Sequence, residues 1–476
     1  MTTSKSVFVP LALAALSLSV ALLVQARQDD SQTTARDPGV RSDAIDAGQP
    51  FSNLSPAQIQ FFQDGESRFM EVDSVEGGVS GESGKGLGPA FNSNSCASCH
   101  AQPAVGGSSP SVADYPNLGP NPQMAAGLDA GAKNAIPYFI TSEGPVREAR
   151  FPFLLTAGGF PSRTPDGGVH DLFTIAGRSD APGCNMDQPN FERMQRLNNV
   201  SFRIPTPVFG AGLIENISDA AILANMEASE PLKQRLGISG HPNTSGNDGT
   251  ITRFGWKAQN KSLDIFSGEA YNVEIGVTNE IFPNERGNAP AACLYNQTPE
   301  DSTNFTQTGD QIPSDVVAFS NFMRFLEPPA PSSQGIPGNP SPQSIQDGQS
   351  LFSAVHCDMC HTPALQTAPS SIAPALSQQN AALYSDLLVH HMGSELADRV
   401  SQGTAGPDEF RTAPLWGLGQ RIFFLHDGRA TPANGGLLRA IQDHASPGSE
   451  ANSVIFLFDR LSDQQKQDLL NFLRSL

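Results

Sequence analysis

The sequence predicts a mainly α chain in two unequal units, and three repeats predict it. Cys96-Ala97-Ser98-Cys99-His100 returns as Cys357-Asp358-Met359-Cys360-His361 far along the 476-residue chain. Upstream of each copy, Gln63-Asp64-Gly65-Glu66-Ser67-Arg68-Phe69 returns as Gln346-Asp347-Gly348-Gln349-Ser350-Leu351-Phe352, identical at five of seven positions. Downstream, Asn321-Phe322-Met323-Arg324-Phe325-Leu326 is echoed by Asn471-Phe472-Leu473-Arg474-Ser475-Leu476, each closing an amphipathic stretch. Each unit thus reads as a helix, a cysteine–histidine motif and a closing helix.

Both motifs match C-x-x-C-H, the pattern of covalent haem c attachment. Two thiols one helical turn apart reach the two vinyl groups of a haem, and the adjacent imidazole falls beneath the iron. Cys96, Cys99 and His100, and again Cys357, Cys360 and His361, are therefore expected to hold two haem c groups, with His100 and His361 on the irons. A thioredoxin-like redox pair fits less well, because no βαβ setting surrounds either motif and a His follows each. The wide separation of the pairs speaks against a shared zinc site. Cys184 and Cys293 remain, and in an exported protein they are expected to form a disulfide, with a soft metal site as the alternative.

The elements follow in order. Residues 1–26 read as an export signal, with Lys5, the apolar stretch from Val7 to Val24 and the small-residue site Val24-Gln25-Ala26. Cleavage places the protein in the periplasm; an uncleaved signal would anchor it in the membrane. Residues 27–50 are polar and read as a flexible leader. The first unit, 51–327, opens with Ser55 as cap and Pro56 at the first helical position, and ends in a helix capped by Ser314. A stiff Pro/Gly/Ser linker covers 328–342. The second unit, 343–476, closes with a helix capped by Ser462. Helix, haem motif and packed closing helix are how cytochrome c domains are built, so two such domains are expected. The first is enlarged by a loop-rich insertion with short strands, Ser201–Gly210 and Thr250–Trp256 among them. An electron carrier does not need that insertion, whereas a site that admits a substrate and excludes solvent does.

Composition narrows the partners. The formal net charge is −19, which excludes nucleic acid, since phosphates must be met by Lys and Arg. It suits a basic redox partner such as a small cytochrome or a cupredoxin. Gly (44) and Pro (38) are enriched enough for a loop-rich chain but not for a disordered one.

The order of these motifs, with Leu425-His426-Asp427-Gly428-Arg429 after the second, resembles the bacterial dihaem cytochrome c peroxidase superfamily. Its large branch of dihaem oxidoreductases, also labelled thiol oxidoreductases, is the nearest in look. Phe91 to His100, Arg253 to Gln259, Gly276-Val277-Thr278-Asn279-Glu280 and Arg411 to Leu418 carry the resemblance. It implies that Trp256 lies between the haems, the alternative being a core aromatic. It implies that Glu274 is the acid–base over the first haem, with Glu280 as substitute. Peroxidases place Met before the His-Asp-Gly stretch, but here Leu425 stands there and cannot bind iron. His426 is then the expected distal ligand to the second iron, as in the similar-looking rubber-cleaving dihaem oxygenases, with His390 and Met392 competing. His170 is an optional ligand at the first haem or a loop histidine; His241, His356 and His444 read as solvent, propionate or loop contacts.

The resemblance implies a periplasmic oxidoreductase of peroxidase type. Electrons enter at the C-terminal haem and pass by Trp256 to the N-terminal haem, where peroxide or another small oxidant is reduced while Glu274 moves protons. The rival readings are an oxygenase acting on an organic substrate and a non-enzymatic dihaem electron carrier. Related peroxidases hold Ca2+ between their domains, and the sequence leaves that ion open.

Overall fold

The computed structural model describes residues 34–110, 121–303 and 314–476. The export signal and the start of the leader lie outside the described residues. Among the described residues no helix is long and apolar enough to cross a membrane.

Two helix pairs frame the molecule. In the first, Pro56–Phe69 begins at a reciprocal cap: Gln58 N donates to Ser55 Oγ and Ser55 N to Gln58 Oε1 (3.3 and 2.8 Å). Its buried face, Phe62, Gly65 and Phe69, packs on Asp315–Phe325, with Phe62 5.2 Å and Phe69 5.0 Å from the Phe322 ring. In the second, Pro342–Ala354 packs on Asp463–Ser475, with Phe352 5.6 Å from Phe472. The shared glycine of the repeat sits at each crossing. A methyl on Gly65 would strike the Ala318 carbonyl, and one on Gly348 the Asp468 carbonyl. The shared Phe then reaches the motif histidine: Phe69 lies 5.9 Å from His100 and Phe352 6.4 Å from His361. The repeat is therefore a packing device that seats each histidine.

Between these pairs the chain is mostly loops with strands of two to five residues. Two small antiparallel sheets matter for function. Glu148–Arg150 is the middle strand of three, paired with Val169–His170 and with Ser201–Arg203 (Ala149 opposite Phe202). Val389–His391 pairs with Glu409–Arg411, setting His390 opposite Phe410. The expected strand at Thr250–Trp256 is instead a turn region held by isolated bridges, Thr244 to Ile251 and Phe254 to Asn260. Cys184 and Cys293 are joined as a disulfide with their Cα atoms 4.6 Å apart.

The flexible leader needs correction over residues 34–50. Arg41 is 1 % exposed and donates to the carbonyls of Ala330, Ser332 and Ser475 (3.2, 3.1 and 3.3 Å). Asp37 takes both Nε and Nη2 of Arg474 at 2.7 Å. Buried charges must be paired, and these pairs strap the leader to the closing helix. The same bonds hold the 328–342 stretch, whose end belongs to a helix capped by Ser341. The two units also share a core: Leu365, Leu376, Leu383, Leu387 and Trp416 pack in one cluster with Phe91, Phe254 and Phe322.

Candidate functional site: two cavities joined at a tryptophan

Each C-x-x-C-H lines its own cavity. The N-terminal one, about 150 Å³, has Cys96, Cys99 and His100 in its walls; the C-terminal one, about 210 Å³, has Cys357, Cys360 and His361. Trp256 lines both. Its indole nitrogen donates to the Ile204 carbonyl (2.8 Å), which fixes the ring at the boundary.

The two histidines are prepared alike. His100 Nδ1 lies 3.2 Å from the Gly107 carbonyl and His361 Nδ1 2.9 Å from that of Tyr384. A carbonyl can only accept, so Nδ1 carries the hydrogen and Nε2 keeps its lone pair. Burial pulls both imidazoles down to about 4, so they are neutral at pH 7. Burial pushes Cys99 and Cys357 up to about 12 and Cys96 well above its ordinary value. Protonated thiols are poor nucleophiles, so Cys96, Cys99 and Cys357 do not suit dithiol exchange. Two thiols and one free imidazole lone pair per cavity are the donor set haem c requires, and the residues fit that group.

Glu274 enters the N-terminal cavity on a single π turn, Tyr271–Ile275, ended by Gly276 at φ +82°. The segment before Cys96 pins this turn: Asn92 N and Ser93 N donate to the Glu274 carbonyl (2.8 and 3.1 Å), and Asn92 Nδ2 to that of Val273 (3.0 Å). The Glu274 carboxyl shares a hydrogen bond with Glu148, whose Oε1 accepts from Arg150 Nε at 2.6 Å. Burial and the neighbouring Glu148 charge raise Glu274 well above the usual carboxylate range. Burial also pushes Glu148 up, but Arg150, Arg203 and the hydrogen bond from Glu274 outweigh it and hold Glu148 low. The two carboxyls are thus driven apart, Glu274 toward its protonated form and Glu148 toward its ionised form. Sequence reasoning pointed to Glu274 and missed Glu148, Arg150 and Arg203. The alternation Glu148-Ala149-Arg150 was the available signal, since a strand puts i and i+2 on one face. Glu280 is exposed and is not among the residues of this cavity.

The C-terminal cavity separates the competing ligands. His426 is buried, stacks on Phe410 (4.2 Å, 22°) and presents its edge to Trp256 (6.3 Å). Its ring makes no hydrogen bond among the described residues, and burial pulls it down to about 4. The preceding Leu425 holds φ +67°, which costs about 1–2 kcal/mol for a non-glycine residue, so the turn that aims His426 is strained. Met392 also faces the cavity. His390 needs correction as a ligand candidate: its nitrogens are engaged by Glu450 (2.7 Å) and Asp386 (3.0 Å), leaving no lone pair free. His170 stacks on Phe151 and bonds Asp166 (3.1 Å) outside both cavities. His356 and His444 line the C-terminal cavity, while His241 bonds Glu409 at 2.8 Å. Cys360, Asp386 and His390 form the one close group of metal-ligating side chains found among the described residues. It is not the oxygen cage Ca2+ takes.

Two neutral-imidazole cavities meeting at a tryptophan define a dihaem redox protein. The chain belongs to the family described as "Di-haem oxidoreductase, putative peroxidase", whose model matches residues 165–476. The first C-x-x-C-H lies upstream of the matched stretch. No curated protein sequence matches the chain. Among solved structures, the chain is similar to the Kuenenia stuttgartiensis hydrazine synthase pressurised with xenon, at 13% identity and a TM-score of 0.32, covering 95% of this chain and 100% of that one. It is also similar to a MauG-like protein associated with microbial copper homeostasis, at 16% identity and a TM-score of 0.26, covering 57% and 89%.

Proposed function

We propose that the protein is an exported, periplasmic dihaem c oxidoreductase of peroxidase type. One observation carries this reading: the N-terminal cavity sets the carboxyl of Glu274 in the same walls as a ligand-ready His100, and no second imidazole lines it among the described residues. Cys96 and Cys99, and again Cys357 and Cys360, would hold the two haems through thioether bonds, and the haems would supply one-electron chemistry and an iron for an oxidant such as peroxide.

The remaining work falls to side chains. Reducing hydrogen peroxide to two waters takes two electrons and two protons. Glu274 holds one proton at its carboxyl, shielded from bulk water, for the oxygen that leaves as water. Glu148, kept ionised beside Arg150, is placed to receive the replacement. At the other end His426 and His361 supply a pair of imidazoles, and Trp256 bridges the two cavities as the route from the electron-accepting side to the reducing side. The acidic surface suits a basic small cytochrome or a cupredoxin as donor. The disulfide and the 1–26 signal both suit an oxidising compartment.

A pure carrier needs both irons closed by protein. Visible spectra decide. A high-spin component that shifts on adding cyanide or peroxide, with turnover of a reduced cytochrome, is expected. Two fully low-spin haems would sink the enzyme reading.

A further inference from the structure

Most buried cations near the cavities have a carboxylate. Arg474 has Asp37, and Arg203 and Lys257 share Asp398. Arg411 and Arg421 have none among the described residues, although they are 8 % and 9 % exposed and close enough for their charges to repel. Arg411 makes one side-chain bond, Nη1 to the Arg253 carbonyl at 3.0 Å, and Arg421 makes none among the described residues. The Nε atom of each is buried without an acceptor. Burial and that repulsion lower Arg411 to about 10, and burial alone lowers Arg421 to about 10. An unpaired buried charge is among the costliest features a fold can carry, so an anion must complete this pair.

The walls around the pair indicate which anion. Both arginines line the C-terminal cavity, and with Trp256 they also line a smaller cleft beside it. Leu437, Phe458 and Leu469 line the main cavity but not that cleft. The cavity therefore has a doubly cationic side next to Trp256 and an apolar remainder. A tetrapyrrole has the matching distribution, two carboxylates on one edge of an apolar plate. Guanidinium forks match carboxylates in geometry as well as charge.

We propose that Arg411 and Arg421 form a carboxylate clamp for the propionates of the haem in the C-terminal cavity, and that they thereby set its reduction potential. The inference rests on the dihaem reading. A retained cation disfavours the oxidised, more positive iron, so the clamp raises the potential.

The test compares haem-loaded wild type, Arg421→Gln and Arg421→Lys by haem count and spectroelectrochemical titration. Expected is a lower C-terminal potential in Arg421→Gln, partial restoration in Arg421→Lys and an unmoved N-terminal haem. Loss of the C-terminal haem from Arg421→Gln with retention in Arg421→Lys supports the clamp equally. Unchanged potentials in Arg421→Gln with two haems present would overturn it. A wild-type C-terminal potential that falls as millimolar phosphate is added would also overturn it, since that marks a free-anion site rather than arginines already occupied by propionates. Fewer than two haems in the wild type would instead sink the dihaem reading.

Discussion

In the N-terminal cavity His100 shares its walls with Glu148, Glu274, Arg150 and Arg203; in the C-terminal cavity His361 shares them with His426, Met392 and mainly apolar side chains. Both cavities rest on the same device: a glycine-crossed helix pair, a phenylalanine against the histidine and a carbonyl on Nδ1. Attachment is repeated and the remaining walls are not. Those of the N-terminal cavity come largely from the insertion, through the strands at 148–150 and 201–203 and the π turn at 271–275. The repeats thus supply two like holders, and the inserted loops add a cluster of carboxylates and guanidiniums to one of them.

The sharpest way to break this contrast is Glu274→Gln. Peroxide turnover is expected to fall by about 10²- to 10⁴-fold, the range of a lost general acid, while the C-terminal haem spectrum stays unchanged. Retention of full turnover would remove the role. Wild-type activity should decline as pH rises through the elevated Glu274 value, because the protonated form is lost. In Glu148→Gln that decline should move to lower pH, since the charge that raises Glu274 is gone.

His426→Ala tests the other side. It is expected to convert the C-terminal haem from low to high spin and to leave the N-terminal spectrum in place. If Met392 holds the iron instead, the substitution will leave the low-spin bands untouched.

Equivalence of the holders can be measured directly. Gly65→Ala and Gly348→Ala should each cost about 1–3 kcal/mol of stability or more, the scale of overpacking at a tight contact. Unequal losses by thermal or denaturant unfolding would show that the two crossings are not the same device.

The pH dependence of stability should differ in sign between the cavities. Burial would raise Glu450, but the hydrogen bond and charge of His390 outweigh it and bring it from 4.5 to about 2. Its contribution is present above about 4.5 and is lost as pH falls toward 2, so Glu450→Gln should flatten the acid limb of a stability–pH curve. Glu274 is shifted upward, so its contribution is present below 4.5 and is lost as pH rises through its folded value. The smallest effect concerns the donor: reaction with a basic cytochrome should slow by up to about tenfold between low and high salt. Salt-independent rates would exclude electrostatic docking.

The holders were legible in the sequence because they are local: C-x-x-C-H, the caps at Ser55, Ser314 and Ser462, and the repeated Gly and Phe all lie within short windows. The acid–base pair was only half legible. Glu148 and Glu274 are far apart in the chain, and only a three-residue strand and a π turn bring them into one cavity. His390 looked available because nothing in Leu388-Val389-His390 announces that Glu450 closes on one nitrogen and Asp386 on the other. The leader was misread for a related reason: polar composition resembles disorder until Arg41 and Asp37 find partners more than 280 residues away.

That strap imposes an order of events. Asp37 and Arg41 grip Arg474 and Ser475, which follow them in synthesis by 437 and 434 residues. As the chain emerges it cannot fasten this clasp until the closing helix has arrived. Everything between must wait with its early end unsecured, and the clasp becomes a late checkpoint in maturation rather than a starting point.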